Sequence, residues 1–300
     1  MIRYTRDPAK IYDVEGEKVC SFIEKDKEEN IDWDTVKSFG TEWQKFKTFA
    51  DVDLDKIGAD YFDLVDPEML KGAMALDVGC GSGRWARYLS SRVRFIEAID
   101  PSESIFSATR YLRDFKNVRT TQANVWHLPF EPSTFDFVYS LGVLHHLPDT
   151  AHAVENCVRM VKPGGWFLVY LYYDLDGRSF LFRTLFAVST RFRWVISRMP
   201  FAVKSFLCDG IALFVYLPFS LIARCMEQLR IQGVENFPLA YYRKTSFYIM
   251  RNDALDRFGT PLEKRFSKSE ILKILTDAGL TQITFSKNPP FWHVLSQKPF

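Results

Sequence analysis

Cysteine is scarce in the 300-residue sequence and is not arranged in pairs. The five cysteines lie far apart, are odd in number and never form a Cys-x-x-Cys pair. This pattern argues against a disulfide framework and against a zinc cluster, so no metal site is predicted and a reducing, cytoplasmic location is expected. The five residues are Cys20, Cys80, Cys157, Cys208 and Cys225.

Long apolar runs and an excess of charge of one sign are also missing. No run reaches the roughly 18 to 20 apolar residues of a membrane span. The N-terminal segment lacks the apolar core of a secretory signal, so neither a span nor a signal is expected. The formal net charge of +2 is too small to indicate a nucleic-acid partner.

Apolar residues make up 47% of the chain and aromatic residues 16%, which is enough to bury a core. Segments typical of strands alternate with helical segments, which is the pattern of an α/β protein with an open, mostly parallel sheet. Two further strands near the C-terminus are joined by about five residues, too few for a helical crossover, so they should form an antiparallel pair. The seven predicted strands cover residues 74–78, 94–100, 118–122, 135–140, 166–173, 280–285 and 291–297.

The chain divides into four predicted parts. Residues 1–32 form a polar flap with a hairpin around Glu15-Gly16, and residues 33–173 form the first part of the core. Residues 174–250 form a helical cap insertion, and residues 251–300 complete the core.

The insertion is unusually basic at its start and apolar later. Six basic residues and no acid lie between Gly177 and Cys208, and residues 210–223 carry no charge. A stretch of that length predicts a buried cap helix in preference to a membrane segment. The basic part could still contact an anionic lipid surface or receive an acidic substrate.

A glycine turn follows the first strand of the core. Gly79, Gly81 and Gly83 stand at every second position between an apolar strand and a helix, where residues without Cβ permit a tight turn and close approach of a ligand. Asp100 follows Gly79 by 21 residues, and such a carboxylate at the next strand end can hold the hydroxyls of a ribose. Glycine turns after strands also occur where no ligand binds, and an aspartate at a strand end is also a common N-cap.

Five motifs together resemble class I S-adenosylmethionine-dependent methyltransferases of the small-molecule type. They stand in the family's order over residues 74–170, and the C-terminal strand pair resembles the close of the same fold. The resemblance implies a Rossmann-like seven-stranded sheet and S-adenosylmethionine as cofactor. The motifs are Leu76-Asp-Val-Gly-Cys-Gly-Ser-Gly-Arg-Trp85, Ile99-Asp-Pro-Ser102, Leu128-Pro-Phe130, Phe135 to Leu147 and Val161-Lys-Pro-Gly-Gly165.

The resemblance also implies which residues hold the cofactor. Backbone groups of Gly79, Cys80 and Gly81 line its methionine and ribose portions, Asp100 holds the ribose, and Pro101 packs under adenine. Val125 supplies an N–H to the ring, Leu141 a carbonyl to the amino-acid end, and Asp77 anchors the amino group or the turn.

Two of the implied positions need comment. Asn124 stands where the family usually has an aspartate that accepts from the adenine amino group, and an amide oxygen can still accept that bond. The segment Phe39 to Phe46 resembles one that folds over the cofactor in a subset of bacterial methyltransferases. Trp43 is therefore a candidate lid, although the apolar stripe from Trp33 to Phe49 equally predicts core packing.

Candidates for the reaction itself are less well defined. His145 and His146 follow a strand and could act as a base, but a base is needed only if the acceptor must lose a proton. Tyr242 is a further catalytic candidate. Candidate substrate-binding residues are Tyr172, Tyr173, Tyr241, Arg243 and Arg257, with ordinary salt bridges as the alternative for the two arginines.

The first functional hypothesis is a methyltransferase acting on a small-molecule or glycan-like acceptor under the helical cap. The second keeps the chemistry but places the cap against a membrane, with a lipid or quinone-like acceptor. The third is a non-catalytic protein that binds S-adenosylmethionine, and a nicotinamide dehydrogenase ranks last. The sequence indicates neither the acceptor atom nor the oligomeric state.

Overall fold

A computed structural model describes residues 2–24, 32–37, 51–174, 180–288 and 292–300. The chain forms two compact units. The first contains Met1–Gly177 and Leu262–Phe300, and the second contains Arg178–Pro261.

The first unit is built on one sheet of nine strands in the order β1-β2-β5-β4-β3-β6-β7-β9-β8. The strands from β2 to β7 pair in parallel in this order, whereas β9 is antiparallel to both β7 and β8. The bounds are β1 Lys10–Val14, β2 Glu17–Ser21, β3 Met74–Val78, β4 Phe95–Ile99, β5 Val118–Gln122, β6 Phe135–Leu141, β7 Val161–Tyr170, β8 Thr281–Phe285 and β9 His293–Gln297.

The predicted α/β fold and its antiparallel C-terminal pair are confirmed, and the N-terminal hairpin enlarges the sheet. β2 pairs in parallel with β5, with Cys20 opposite Thr121. Val19 of the hairpin is buried. The hairpin covers the β5 edge, which would otherwise present unpaired backbone groups.

Helices flank the sheet along the first unit. The helix expected near residues 58–65 ends earlier, and a separate turn of helix starts at Pro67, where Asp66 accepts from the Glu68 N–H. A capping box of Ser267 and Glu270 starts the last helix, as expected. The bounds are Asp51–Tyr61, Pro67–Leu70, Arg84–Ser90, Ser104–Leu112, Thr150–Met160 and Lys268–Asp277.

Alternate residues of the central strands supply two cores, one on each face of the sheet. In β6, Val138 belongs to one apolar cluster, whereas Phe137 and Tyr139 belong to the other. In β3, Leu76 belongs to the same cluster as Val138, and Ala75 belongs to the other. The near-continuous apolar strands are therefore buried on both faces, as parallel strands require.

The second unit is helical. Three helices, Phe180–Ile196, Phe201–Gln228 and Phe247–Gly259, are accompanied by 3-10 turns at Val234–Asn236 and Ala240–Lys244. The middle helix has a π-helical segment, Ala212–Tyr216, just before Pro218. Proline has no N–H to continue the α-helical bonding, and a local π register absorbs that loss.

The expectation of a buried cap helix and of no long apolar segment is wrong for Phe201–Gln228. This 28-residue helix has a mean hydropathy of 2.0 over its most apolar window, and only 28% of that window is buried. By length and composition it could cross a membrane, and it is the one such helix in the described ranges. The count of charge-free residues missed this helix because the count stopped at Asp209. In the structure Asp209 is paired with Arg251.

Candidate functional site

The glycine turn lies at the carboxyl end of β3. Gly79, Gly81 and Gly83 have φ values of +80°, +54° and +86°. The N–H groups of Gly79 and Cys80 both donate to the Ile99 carbonyl at 2.9 Å. The turn is thereby tied to the end of β4, at the edge where parallel sheets bind ligands.

Gly79 is required for steric reasons as well as for its φ. A Cβ at this position would stand 2.5 Å from Val143 Cγ1, in the loop after β6. The turn and this loop therefore approach each other too closely for any side chain at residue 79.

Asp100 organises the turn through both carboxylate oxygens. Its Oδ2 accepts from the Gly81 N–H at 2.9 Å, and its Oδ1 accepts from the N–H and hydroxyl of Ser102 at 2.8 and 2.6 Å. Asp100 is not the N-cap of the next helix, the alternative foreseen for it, because Glu103 holds that position. Oδ2 accepts one hydrogen bond within the described part of the chain and retains a lone pair, so the ribose contact stays a prediction.

A cleft opens beside the turn. Its lining is mainly apolar and includes the consecutive residues Ala123 to Trp126. Such a cleft suits a flat ring such as adenine, in agreement with the expectation for Pro101 and Val125. The lining residues are Val36, Val78, Gly79, Ile99, Pro101, Ala123, Asn124, Val125, Trp126, Val143, Leu144 and Leu147.

Asn124 has a different role from the one expected. Its Oδ1 accepts from the N–H groups of Trp126 and His127, both at 2.9 Å. An amide oxygen has two lone pairs, and both are used here, so the geometry does not support a bond from an adenine amino group to this oxygen. An aspartate would retain its second oxygen for that bond.

Asp77 is a buried carboxyl beneath the turn. Its Oδ2 makes no hydrogen bond within the described part of the chain. Burial raises its pKa to about 8; repulsion from Asp100 adds to the rise, and the Tyr139 hydroxyl and Arg84 oppose it. A ligand ammonium group would favour the ionised form of this carboxyl, which fits the expected amino-group anchor.

Asp77→Asn should flatten the pH dependence of stability. The folded protein holds a proton on Asp77 up to about pH 8, whereas the ordinary pKa is 3.8. The carboxyl's contribution to the free energy of unfolding is therefore complete below about pH 4 and disappears as pH rises through about 8. Urea unfolding at several pH values checks this, with the exposed Asp114→Asn as control. Identical pH slopes for the wild type and Asp77→Asn would contradict it.

Cys80 and Leu141 complete the predicted cofactor set. Burial raises the pKa of the Cys80 thiol well above its usual value, so the thiol stays neutral, and the Cys80 carbonyl accepts from the Gly83 N–H at 2.9 Å. Leu141 ends β6 and is buried. Trp43 lies outside the described residues.

The two candidate histidines are buried after β6. The His145 ring stacks on Tyr172 with centroids 3.8 Å apart. Burial lowers its pKa well below the usual value, and His146 and Arg265 lower it further, so the ring is neutral. His146 Nδ1 lies 2.7 Å from the Leu262 carbonyl oxygen. His146 thus orders the loop, while the lowered pKa makes the buried His145 ring a weak base.

Arg265 is a residue that the sequence pattern missed. Its guanidinium lies 5.3 Å from the Tyr172 ring centroid and donates to the Tyr173 carbonyl at 3.2 Å, and it pairs with Glu263 at 2.6 Å. The structure thus groups Tyr172, Tyr173 and Arg265 near His145. A single arginine in a loop carries no motif that could have indicated this.

The other four acceptor-site candidates lie in the second unit and are engaged there. The Tyr242 hydroxyl donates to Asp253 at 3.0 Å, and burial raises its pKa well above the usual value. Arg243 pairs with Glu227 at 3.2 Å, and Arg257 donates to the Ser189 hydroxyl at 3.3 Å. Tyr241 is exposed beside Tyr242. The salt-bridge alternative thus fits Arg243, whereas the contact of Arg257 is with a neutral hydroxyl.

The comparison with protein families agrees with the strand-end geometry. Residues 76–169 match a family model described as a methyltransferase domain. That range contains the glycine turn, Asp100, the cleft loop and the Lys-Pro-Gly-Gly segment. Residues 76–169 are a class I S-adenosylmethionine-dependent methyltransferase domain. The resemblance seen in the sequence is confirmed.

Curated relatives of this methyltransferase domain differ in their acceptors. A ubiquinone biosynthesis O-methyltransferase from Neisseria meningitidis serogroup C is 31% identical over 152 residues, covering 47% of this chain and 62% of that protein. A tRNA U34 carboxymethyltransferase from Campylobacter curvus is 31% identical over 142 residues, covering 46% of this chain and 43% of that protein. The match spans less than two thirds of the length of either relative.

Solved structures show a looser likeness. A putative methyltransferase from Bacillus halodurans aligns with a TM-score of 0.48 at 16% identity, covering 83% of this chain and 98% of the other. The description of the fold rests on the strand order given above.

Proposed function

We propose that the chain is a methyltransferase that binds S-adenosylmethionine in the cleft beside the glycine turn and methylates a small acceptor with an apolar portion, of the lipid or quinone type. The observation that carries the cofactor assignment is the turn itself. Gly79 has no room for a Cβ, and Asp100 holds the Gly81 N–H at 2.9 Å beside a free lone pair.

The residues present fit this cofactor. The lone pair that remains on Asp100 Oδ2 suits one ribose hydroxyl, and the apolar walls between Pro101 and Leu144 suit adenine. Asp77 offers a buried acceptor for an ammonium group. A nicotinamide dinucleotide would use the same turn, but the family match favours S-adenosylmethionine.

When bound beside Asp100 and Asp77, the cofactor would supply a methyl group from a positively charged sulfur to a nucleophile of the acceptor, and the sulfur would keep the electron pair of the broken carbon–sulfur bond. The chain's part is to align the acceptor and exclude water. If the acceptor is a hydroxyl, its proton must also leave, and the His145 ring beside Tyr172 is the candidate to accept it, as a weak base because burial disfavours its protonated form.

Two observations support an acceptor with an apolar portion. The helix Phe201–Gln228 leaves most of its apolar window unburied, and one curated relative is a ubiquinone biosynthesis O-methyltransferase. A glycan-like acceptor, the first hypothesis from the sequence, gains nothing from such a surface. Cytoplasmic location stays a prediction.

Labelled methyl transfer tests the proposal. The chain is incubated with methyl-tritiated S-adenosylmethionine and, separately, with a lipid extract of membranes, an extract of soluble metabolites and total tRNA. We expect label in the organic phase of the lipid reaction. Label confined to the soluble metabolites would favour the glycan-like acceptor, and no transfer in the presence of bound cofactor would favour a non-catalytic protein.

A tRNA acceptor is the second candidate, favoured by the Campylobacter relative alone. The net charge of +2 gives it little support, because nucleic-acid binding depends on neutralising phosphates. Label in the tRNA arm, lost on ribonuclease treatment, would establish it in place of the lipid-type acceptor.

A further inference from the structure

The helix Phe201–Gln228 buries mostly small residues and exposes large apolar ones, the reverse of a typical helix in a water-soluble protein. Its buried face carries mostly small residues, namely Cys208, Ala212, Tyr216, Ser220 and Ala223. Its exposed face carries large apolar residues, which we call the outward stripe: Val203, Phe206, Leu213, Phe214 and Leu221. Phe206 and Phe214 are 77% and 76% exposed.

The outward stripe extends over five turns of the helix. Its members lie away from the buried face, as their exposure shows. Scattered exposed apolar residues need no explanation, but a contiguous row of large ones marks an interaction surface. Large apolar side chains in such a row are more stable in apolar surroundings than in water.

Polar contacts fix the opposite face to the rest of the second unit. Asp209 receives two bonds from Arg251, both at 2.9 Å, and Lys204 donates to the Gly259 carbonyl at 2.8 Å. A helix crossing the hydrocarbon core would have to carry Asp209 into it, at considerable cost. The arrangement therefore suits a helix that lies along an interface with one face inserted.

The charge of the second unit indicates which surface it meets. Arg178–Pro261 contains twelve Lys or Arg and five Asp or Glu, a formal charge of +7 in a chain whose total is +2. Exposed Arg198 and Arg230 flank the two ends of the helix. A second copy of the chain would bring like charge against like charge, whereas an anionic lipid surface complements it.

We infer that the outward stripe docks the protein on anionic lipid bilayers, lying in the headgroup region with Phe206 and Phe214 inserted and the flanking arginines at the phosphates. This docking surface is separate from the methyl-transfer chemistry and would hold even if the acceptor were water-soluble.

Vesicle co-sedimentation of the full chain tests this. The probes are phosphatidylcholine vesicles with and without phosphatidylglycerol. We expect binding to the anionic vesicles that weakens as salt is added. The double variant Phe206→Ser/Phe214→Ser should lower the partition coefficient by about tenfold or more, because two large rings no longer leave water. Arg198→Glu and Arg230→Glu should each lower it by about fivefold.

The matched control is Leu272→Ser, an exposed apolar residue of the first unit, 45% exposed, whose loss should leave vesicle binding unchanged. Circular dichroism and S-adenosylmethionine binding of each variant establish that the fold and the cofactor site are intact. Failure to bind anionic vesicles would overturn the inference. So would retention on vesicles after alkaline carbonate washing, which indicates a span, or a lipid-free dimer that the double phenylalanine variant dissociates.

Discussion

Asp100→Ala should weaken S-adenosylmethionine binding by about tenfold or more in isothermal titration calorimetry. The carboxylate keeps one lone pair for a ribose hydroxyl, and a hydrogen bond to a charged group contributes about 1.5 to 3 kcal/mol. The substitution also removes the bond to the Gly81 N–H and those to Ser102. The turn that carries the ligand-facing backbone groups is therefore loosened as well.

Two further variants separate these effects. Asp100→Asn keeps one acceptor oxygen and the shape of the side chain, so it should fall between the wild type and alanine. Glu103→Ala removes an exposed carboxylate of the same segment and should leave the affinity unchanged. An unaltered dissociation constant in Asp100→Ala would show that the strand-end assignment is mistaken.

Gly79→Ala should abolish measurable cofactor binding and destabilise the fold. The new Cβ would stand 2.5 Å from Val143 Cγ1, so the turn or the loop after β6 must move. Overpacking of this kind costs about 1 to 3 kcal/mol, and the φ of +80° adds about 1 to 2 kcal/mol for a residue other than glycine. Urea unfolding and calorimetry measure the two consequences.

The chain offers a matched control in Gly72. It has a similar φ of +74°, but a Cβ there meets nothing within 4 Å. Gly72→Ala therefore reports the backbone cost alone and should keep cofactor binding. If Gly79→Ala lowers stability and cofactor affinity no more than Gly72→Ala does, the close approach of Val143 does not matter for either property.

The sequence predicts the first unit well because its signals are local. The alternation of strand and helix, the glycines of the turn and the Ser267-Glu270 capping box are each read from neighbouring residues. Asn124 shows the limit of this approach. Its residue type permits a bond to adenine, and only the backbone path of Trp126 and His127 reveals that both lone pairs are already used.

The second unit was predicted less well because its properties depend on contacts distant in sequence. In the sequence Asp209 interrupts an apolar run. In the structure Arg251, 42 positions later, pairs with it. Whether Phe206 and Phe214 are buried could not be read from their spacing, because a core-facing row and an outward row have the same period. Arg265 lies over the Tyr172 ring although the two residues are far apart in the sequence, so no local motif could indicate the contact.

The central claim is that the cleft beside the glycine turn holds S-adenosylmethionine. Its most direct test is calorimetric titration of the unaltered chain with S-adenosylhomocysteine and, separately, with a nicotinamide dinucleotide. The structure predicts saturable one-to-one binding of S-adenosylhomocysteine and none of the dinucleotide. Binding of the dinucleotide alone, or of neither ligand, would contradict the assignment.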